Sequence, residues 1–93
     1  MKKPMSYSLP VTIFREGQYF VAYSPALDLS SSGKSEDESK KMFGEAVDIF
    51  FEELTESGTL EEVLLDLGWT KVDNRFEPPE LIDQSVMTVS VGG

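Results

Sequence analysis

Between residues 7 and 14 the side chains alternate. Tyr7, Leu9, Val11 and Ile13 share one face, and Ser8, Pro10, Thr12 and Phe14 share the other. That period predicts a strand. Pro10 has no N–H for a ladder, so the strand is expected at an edge or bulged there. Arg15-Glu16-Gly17-Gln18 reads as a tight turn. Over 18–24, Tyr19, Val21 and Tyr23 alternate with Phe20 and Ala22. Two β-rich runs joined by a short glycine turn predict a hairpin. Leu27 and Leu29 then alternate with Asp28 and Ser30, and a short third strand is expected over 29–32.

At Ser35 the period changes. Ser35 and Glu38 have the spacing of a capping box, and Glu36 and Asp37 sit where a helix dipole favours anions. Phe43, Ala46, Val47, Phe50 and Leu54 recur at three- and four-residue intervals and make one apolar face. Glu38, Glu45, Asp48 and Glu52 lie largely opposite, and Gly58 is placed to end the helix. Gly44, inside it, costs about 1 kcal/mol relative to alanine unless something packs closely there. Thr59 and Glu62 repeat the capping spacing before Val63, Leu64 and Leu67, which predicts a two-turn helix stopped by Gly68. Trp69 is expected to fold over the core edge. Asp73-Asn74 suits the turn of a small hairpin, 70–72 with 75–77, which Pro78-Pro79 ends. Residues 84–91 read as a last strand with Met87, Val89 and Val91 on one face. The order is β-β-β-α-α-β with the extra hairpin. It predicts an α+β fold of two layers: an antiparallel sheet with one long helix across it. We expect a single domain over 1–93. Its C-terminal extension, 70–93, ends in the last strand and leaves no separate DNA-binding domain.

Composition narrows the chemistry. The chain has 93 residues, enough for one small core, and contains neither cysteine nor histidine. Disulfides, thiolate metal sites and cysteine nucleophiles are thereby excluded, and so is the usual general base near neutral pH. The net charge is −9, and 36–66 holds all of it, with eleven acids against two lysines. Such a field repels nucleic acid and draws in basic partners. Most acids fall along helix surfaces and only Asp28 lies near a strand end, so converging carboxylates for a metal are not expected. Serines 30, 31, 32 and 35 have no histidine to activate them. Gly33-Lys34-Ser35 matches the end of a phosphate-binding loop, but the glycine required five residues upstream is Asp28. We therefore expect no catalytic, metal or cofactor site. The longest apolar run is 19–23, and polar Ser6 and Ser8 follow the basic start, so we expect a cytoplasmic protein without a membrane span.

Three segments in order carry a family resemblance. They are Gly17-Gln18-Tyr19-Phe20-Val21-Ala22-Tyr23-Ser24-Pro25-Ala26-Leu27, then Ser32-Gly33-Lys34-Ser35, then Glu45-Ala46 within the long helix. Together they resemble the HicB antitoxins of toxin–antitoxin pairs, from Tyr7 to about Trp69. Thr59-Leu60-Glu61-Glu62-Val63-Leu64 and Gly68-Trp69 are similar to the continuation in short members. Where many members carry Pro-Asp-Leu-Pro-Gly-Cys, this chain has Pro25-Ala26-Leu27-Asp28-Leu29-Ser30. The resemblance implies a partial ribonuclease H fold and a non-enzymatic antitoxin. Such a protein neutralises a small basic HicA-type ribonuclease by masking its RNA-binding surface. Many members add a DNA-binding domain. The tail here reads as strand, so direct DNA binding is not expected.

Two rival functions stand beside this one: a metal-dependent hydrolase with residual ribonuclease H chemistry, and a generic oligomerising or ligand-binding module. For the antitoxin reading we expect the partner's core contact at Tyr23, Pro25, Leu27, Asp28 and Ser30, with the first and third as anchors. Glu38, Glu45, Asp48 and Glu52 are expected to steer the encounter. The uncharged stretch 85–91 of the last strand is an edge that predicts a homodimer or higher oligomer.

Overall fold

The computed structural model describes residues 6–92. Three strands form one antiparallel sheet in the order β1 (Thr12–Glu16), β2 (Tyr19–Ser24), β3 (Leu29–Gly33). Glu16 pairs with Tyr19, so the first hairpin turns on two residues, with Gly17 leading at φ 62. A glycine at the first central position is the type II′ pattern, whose twist matches the strands. Ser24 pairs with Leu29, leaving the four-residue turn 25–28 between β2 and β3. β1 starts later than the alternation predicts, because Pro10 cannot join a ladder. The segment before it leaves the sheet, and Tyr7 and Leu9 pack on the core instead.

Helix α1 (Glu36–Ser57) crosses the sheet. Its Ser35 cap forms as expected, with Glu38 N–H donating to Ser35 Oγ at 3.0 Å, while the return bond of the box reaches one residue further back: Glu38 Oε1 accepts from Lys34 N–H at 3.2 Å. Gly58 ends it at φ 74, and Thr59 N–H donates back to Leu54 O at 3.0 Å. That is the Schellman arrangement, which a residue with a Cβ disfavours. The helix can approach the sheet because the residues beneath it are small: Ala22 and Ser24 are fully buried, and Gly33 lies under the first turn. A Cβ on Gly33 would stand 2.6 Å from Ser39 N.

Helix α2 (Leu60–Asp66) follows. Its expected capping box does not form. Thr59 makes no side-chain cap bond, and its Oγ1 meets Ser57 Oγ at 2.7 Å, so the hydroxyl is used by the preceding turn. β4 (Thr70–Val72) and β5 (Arg75–Glu77) make the small hairpin, with Asp73 and Asn74 both at positive φ, the pattern of a type I′ turn. The core gathers Ala26, Leu27, Leu64 and Trp69, with Tyr7, Phe50 and Phe51 packed around them. Trp69 meets Tyr7 edge to face at 5.0 Å. Its indole N–H donates to Ala26 O at 2.7 Å, pinning the end of α2 to the β2–β3 turn.

The expected strand at 84–91 is not formed. Residues 78–92 carry no regular structure. A strand needs a neighbour for its backbone N–H and C=O groups, and this one has none among the described residues. The α+β class and the long helix across an antiparallel sheet stand as predicted. Among the described residues no helix is long and apolar enough to cross a membrane.

Candidate protein-binding surface

Alternation along β2 gives the sheet two faces. Ala22 and Ser24 point to α1, whereas Tyr19, Val21 and Tyr23 point away from it. The register brings Thr12, Tyr23 and Ser30 into one row and Phe14, Val21 and Ser32 into the next. Phe14 and Tyr19 are each 51% exposed on this outer face.

The five residues expected to form the partner contact separate. Pro25, Asp28 and Ser30 are exposed and Tyr23 is half-buried. Leu27 is 2% exposed and belongs to the core with Leu64 and Trp69. The turn folds it inward, so one of the two expected anchors is a packing residue. Tyr23 is engaged as well: its hydroxyl donates to Asp28 Oδ1 at 3.0 Å. That bond, with partial desolvation and the neighbouring negative charge, raises the phenol above its ordinary value. Asp28 is held at φ 50, a conformation that aspartate tolerates better than most residues.

The helix acids divide too. Glu38 closes the cap, so its carboxylate is a structural acceptor first. Glu45, Asp48 and Glu52 are exposed on one flank of α1. Indeed all eleven carboxylates of 36–66 are exposed. Among the described residues only Glu36 and Glu61 of these form ion pairs, with Lys40 at 3.5 Å and Lys71 at 3.3 Å.

Asp48 does more than face solvent. It borders a cavity of about 330 Å³ between α1 and the segment preceding β1, lined by Tyr7, Leu9, Val47, Phe51, Thr55 and Leu60. The helix flank therefore has an apolar recess next to its charges. Sequence reasoning missed this recess because Tyr7 and Leu9 reach it only by leaving the predicted strand. Their apolar character was the available signal, but their partner, Phe51, is far along the chain. Among the described residues no three acids are placed to hold a metal ion together. Compared with family models, with curated proteins and with solved structures, the chain gives no match.

Proposed function

We propose that this chain is a HicB-like antitoxin, a protein without turnover of its own that binds a small basic ribonuclease and masks the surface that would meet RNA. The observation that carries the reading is the flank of α1, where Asp48 borders an apolar recess and Glu45 and Glu52 stand exposed on the same flank, none of the three in an ion pair among the described residues. Charges at a rim speed encounter, and a buried apolar anchor supplies most of the affinity. The recess and the acids on the α1 flank beside it offer both at one place. It is the better anchor site than the β2–β3 turn, where Leu27 is buried and the Tyr23 hydroxyl is already satisfied. The sequence resemblance supplies the identity of the partner class. An inhibitor of an RNA-cleaving enzyme belongs where messenger RNA is, in the cytoplasm.

The test uses a purified HicA-type ribonuclease. An equimolar amount of this chain is expected to stop RNA cleavage, and the chain alone with magnesium or manganese is expected to leave RNA intact. Thr55→Arg fills the recess from an exposed position and is expected to weaken the complex at least about tenfold through faster dissociation. Asp28→Lys is expected to change affinity less than about threefold. The reverse ranking, in folded variants, would move the contact to the β2–β3 turn. Failure to bind or inhibit would remove the antitoxin reading, and chelator-sensitive cleavage by the pure chain would favour the hydrolase.

A further inference from the structure

Six of the thirteen large apolar residues exposed on the described chain fall within 81–91. Val86 is 100% exposed and Val91 88%. This segment is built of β-formers in alternation, yet among the described residues it pairs with no strand. Exposed apolar runs of this kind mark interaction surfaces.

Charge says which partner fits. No ionisable side chain occurs from Gln84 to Gly92, in a chain whose net charge is −9. Two copies repel through their acidic helices, and the tail is where they can approach without that penalty. The free edge of β1 is a poorer partner for the tail, since it carries Arg15 and Glu16. Charges on an edge strand discourage pairing.

We propose that residues 84–91 form a strand only between two copies of this chain, each tail pairing antiparallel with the other about a two-fold axis near Thr88. Opposed residues in such a pair share a face, so Met87, Val89 and Val91 of both tails gather on one side and Thr88 and Ser90 on the other. A two-stranded ribbon alone is marginal in water. The root of the tail supplies a surface for it. Gln84 Nε2 donates to Thr12 Oγ1 at 2.8 Å. Beside that bond lies a cavity of about 620 Å³, lined in part by Phe14, Tyr23, Pro25 and Val86. The ribbon therefore begins against the exposed outer face of the sheet. This proposal stands apart from the antitoxin reading, because it needs no other protein.

The chain has no cysteine, so one introduced thiol reports unambiguously. Sedimentation equilibrium of the unmodified protein at high micromolar concentration is expected to give twice the 10.4 kDa chain mass. Thr88→Cys is expected to cross-link to itself on mild oxidation. Val89→Lys is expected to weaken the dimer at least about tenfold while leaving the thermal melt of the body unchanged, since that residue touches no core. A purely monomeric protein at high concentration would overturn the proposal. So would a dimer that survives Val89→Lys, or one in which Phe14→Cys cross-links to Thr88→Cys while Thr88→Cys does not cross-link to itself.

Discussion

The Tyr23 hydroxyl and the Asp28 carboxylate span the β2–β3 turn, and their bond depends on the proton Tyr23 keeps. In the folded chain that phenol titrates above its ordinary value near 10. The bond is thus fully present below about pH 10 and is lost as pH rises through the higher folded value. Asp28→Asn removes the negative charge while still tolerating the left-handed backbone at φ 50. We expect phenolate absorbance to show Tyr23 titrating late in the native protein, and Asp28→Asn to bring it back toward its ordinary value. An unchanged late titration would mean that another contact holds it. Leu27 teaches a different point at this scale. It is expected on the surface as a partner anchor, but the turn 25–28 folds its side chain into the core with Leu64 and Trp69, as a large apolar residue favours.

Among elements, most signals carried by near neighbours hold, and the one strand that needs a distant partner does not form. The Ser35 cap, the Gly58 stop and the Asp73-Asn74 turn each depend on neighbours within a few residues, and all three formed as their chemistry dictates. Thr59 had the same spacing as Ser35 and failed, because Ser57 offered its hydroxyl a nearer partner. The strand at 84–91 has its alternation but lacks a second strand, which no local pattern reveals. The two glycines of the helix–sheet layer make a direct comparison. Nothing lies within 4 Å of a Cβ added at Gly44, whereas one at Gly33 meets the backbone of Glu38 and Ser39. Gly44→Ala is therefore expected to stabilise the protein by about 1 kcal/mol. Gly33→Ala is expected to destabilise it by roughly 1–3 kcal/mol, as overpacking does. Thermal melts should move in opposite directions, by roughly 4–8 °C per kcal/mol for a domain of this size. A shift of the same sign for both would mean that α1 does not rest on β3 as closely as described.

For the whole molecule, charge and packing divide the labour. The carboxylates of 36–66 are exposed and add little to the core, so their effect is felt at a distance from the surface. Ionic strength near physiological screens that field beyond about 8 Å. Glu45→Gln, Glu52→Gln and Glu56→Gln together spare Asp48, which borders the recess. The triple variant is expected to slow association with a basic ribonuclease several-fold and flatten its salt dependence, with dissociation nearly unchanged. Stopped-flow binding at several salt concentrations measures both, and a change confined to dissociation would place these acids inside the contact. The location of the charge was plain from composition. The recess was not, because it is made by segments that meet only when the chain has folded.

The bond from the Trp69 indole to Ala26 joins positions 43 residues apart. Closing so wide a loop costs entropy that local contacts do not recover, so this bond belongs among the later events of folding. The sheet and α1 can assemble first, each from neighbours in the chain. Since Trp69 is the only tryptophan, its emission is silent about those steps and responds when α2 swings down onto the β2–β3 turn. Far-ultraviolet dichroism follows the helix as it winds. Recorded together, the two signals would separate the winding of the helix from the latching of the molecule, with one indole serving as the latch and its indicator.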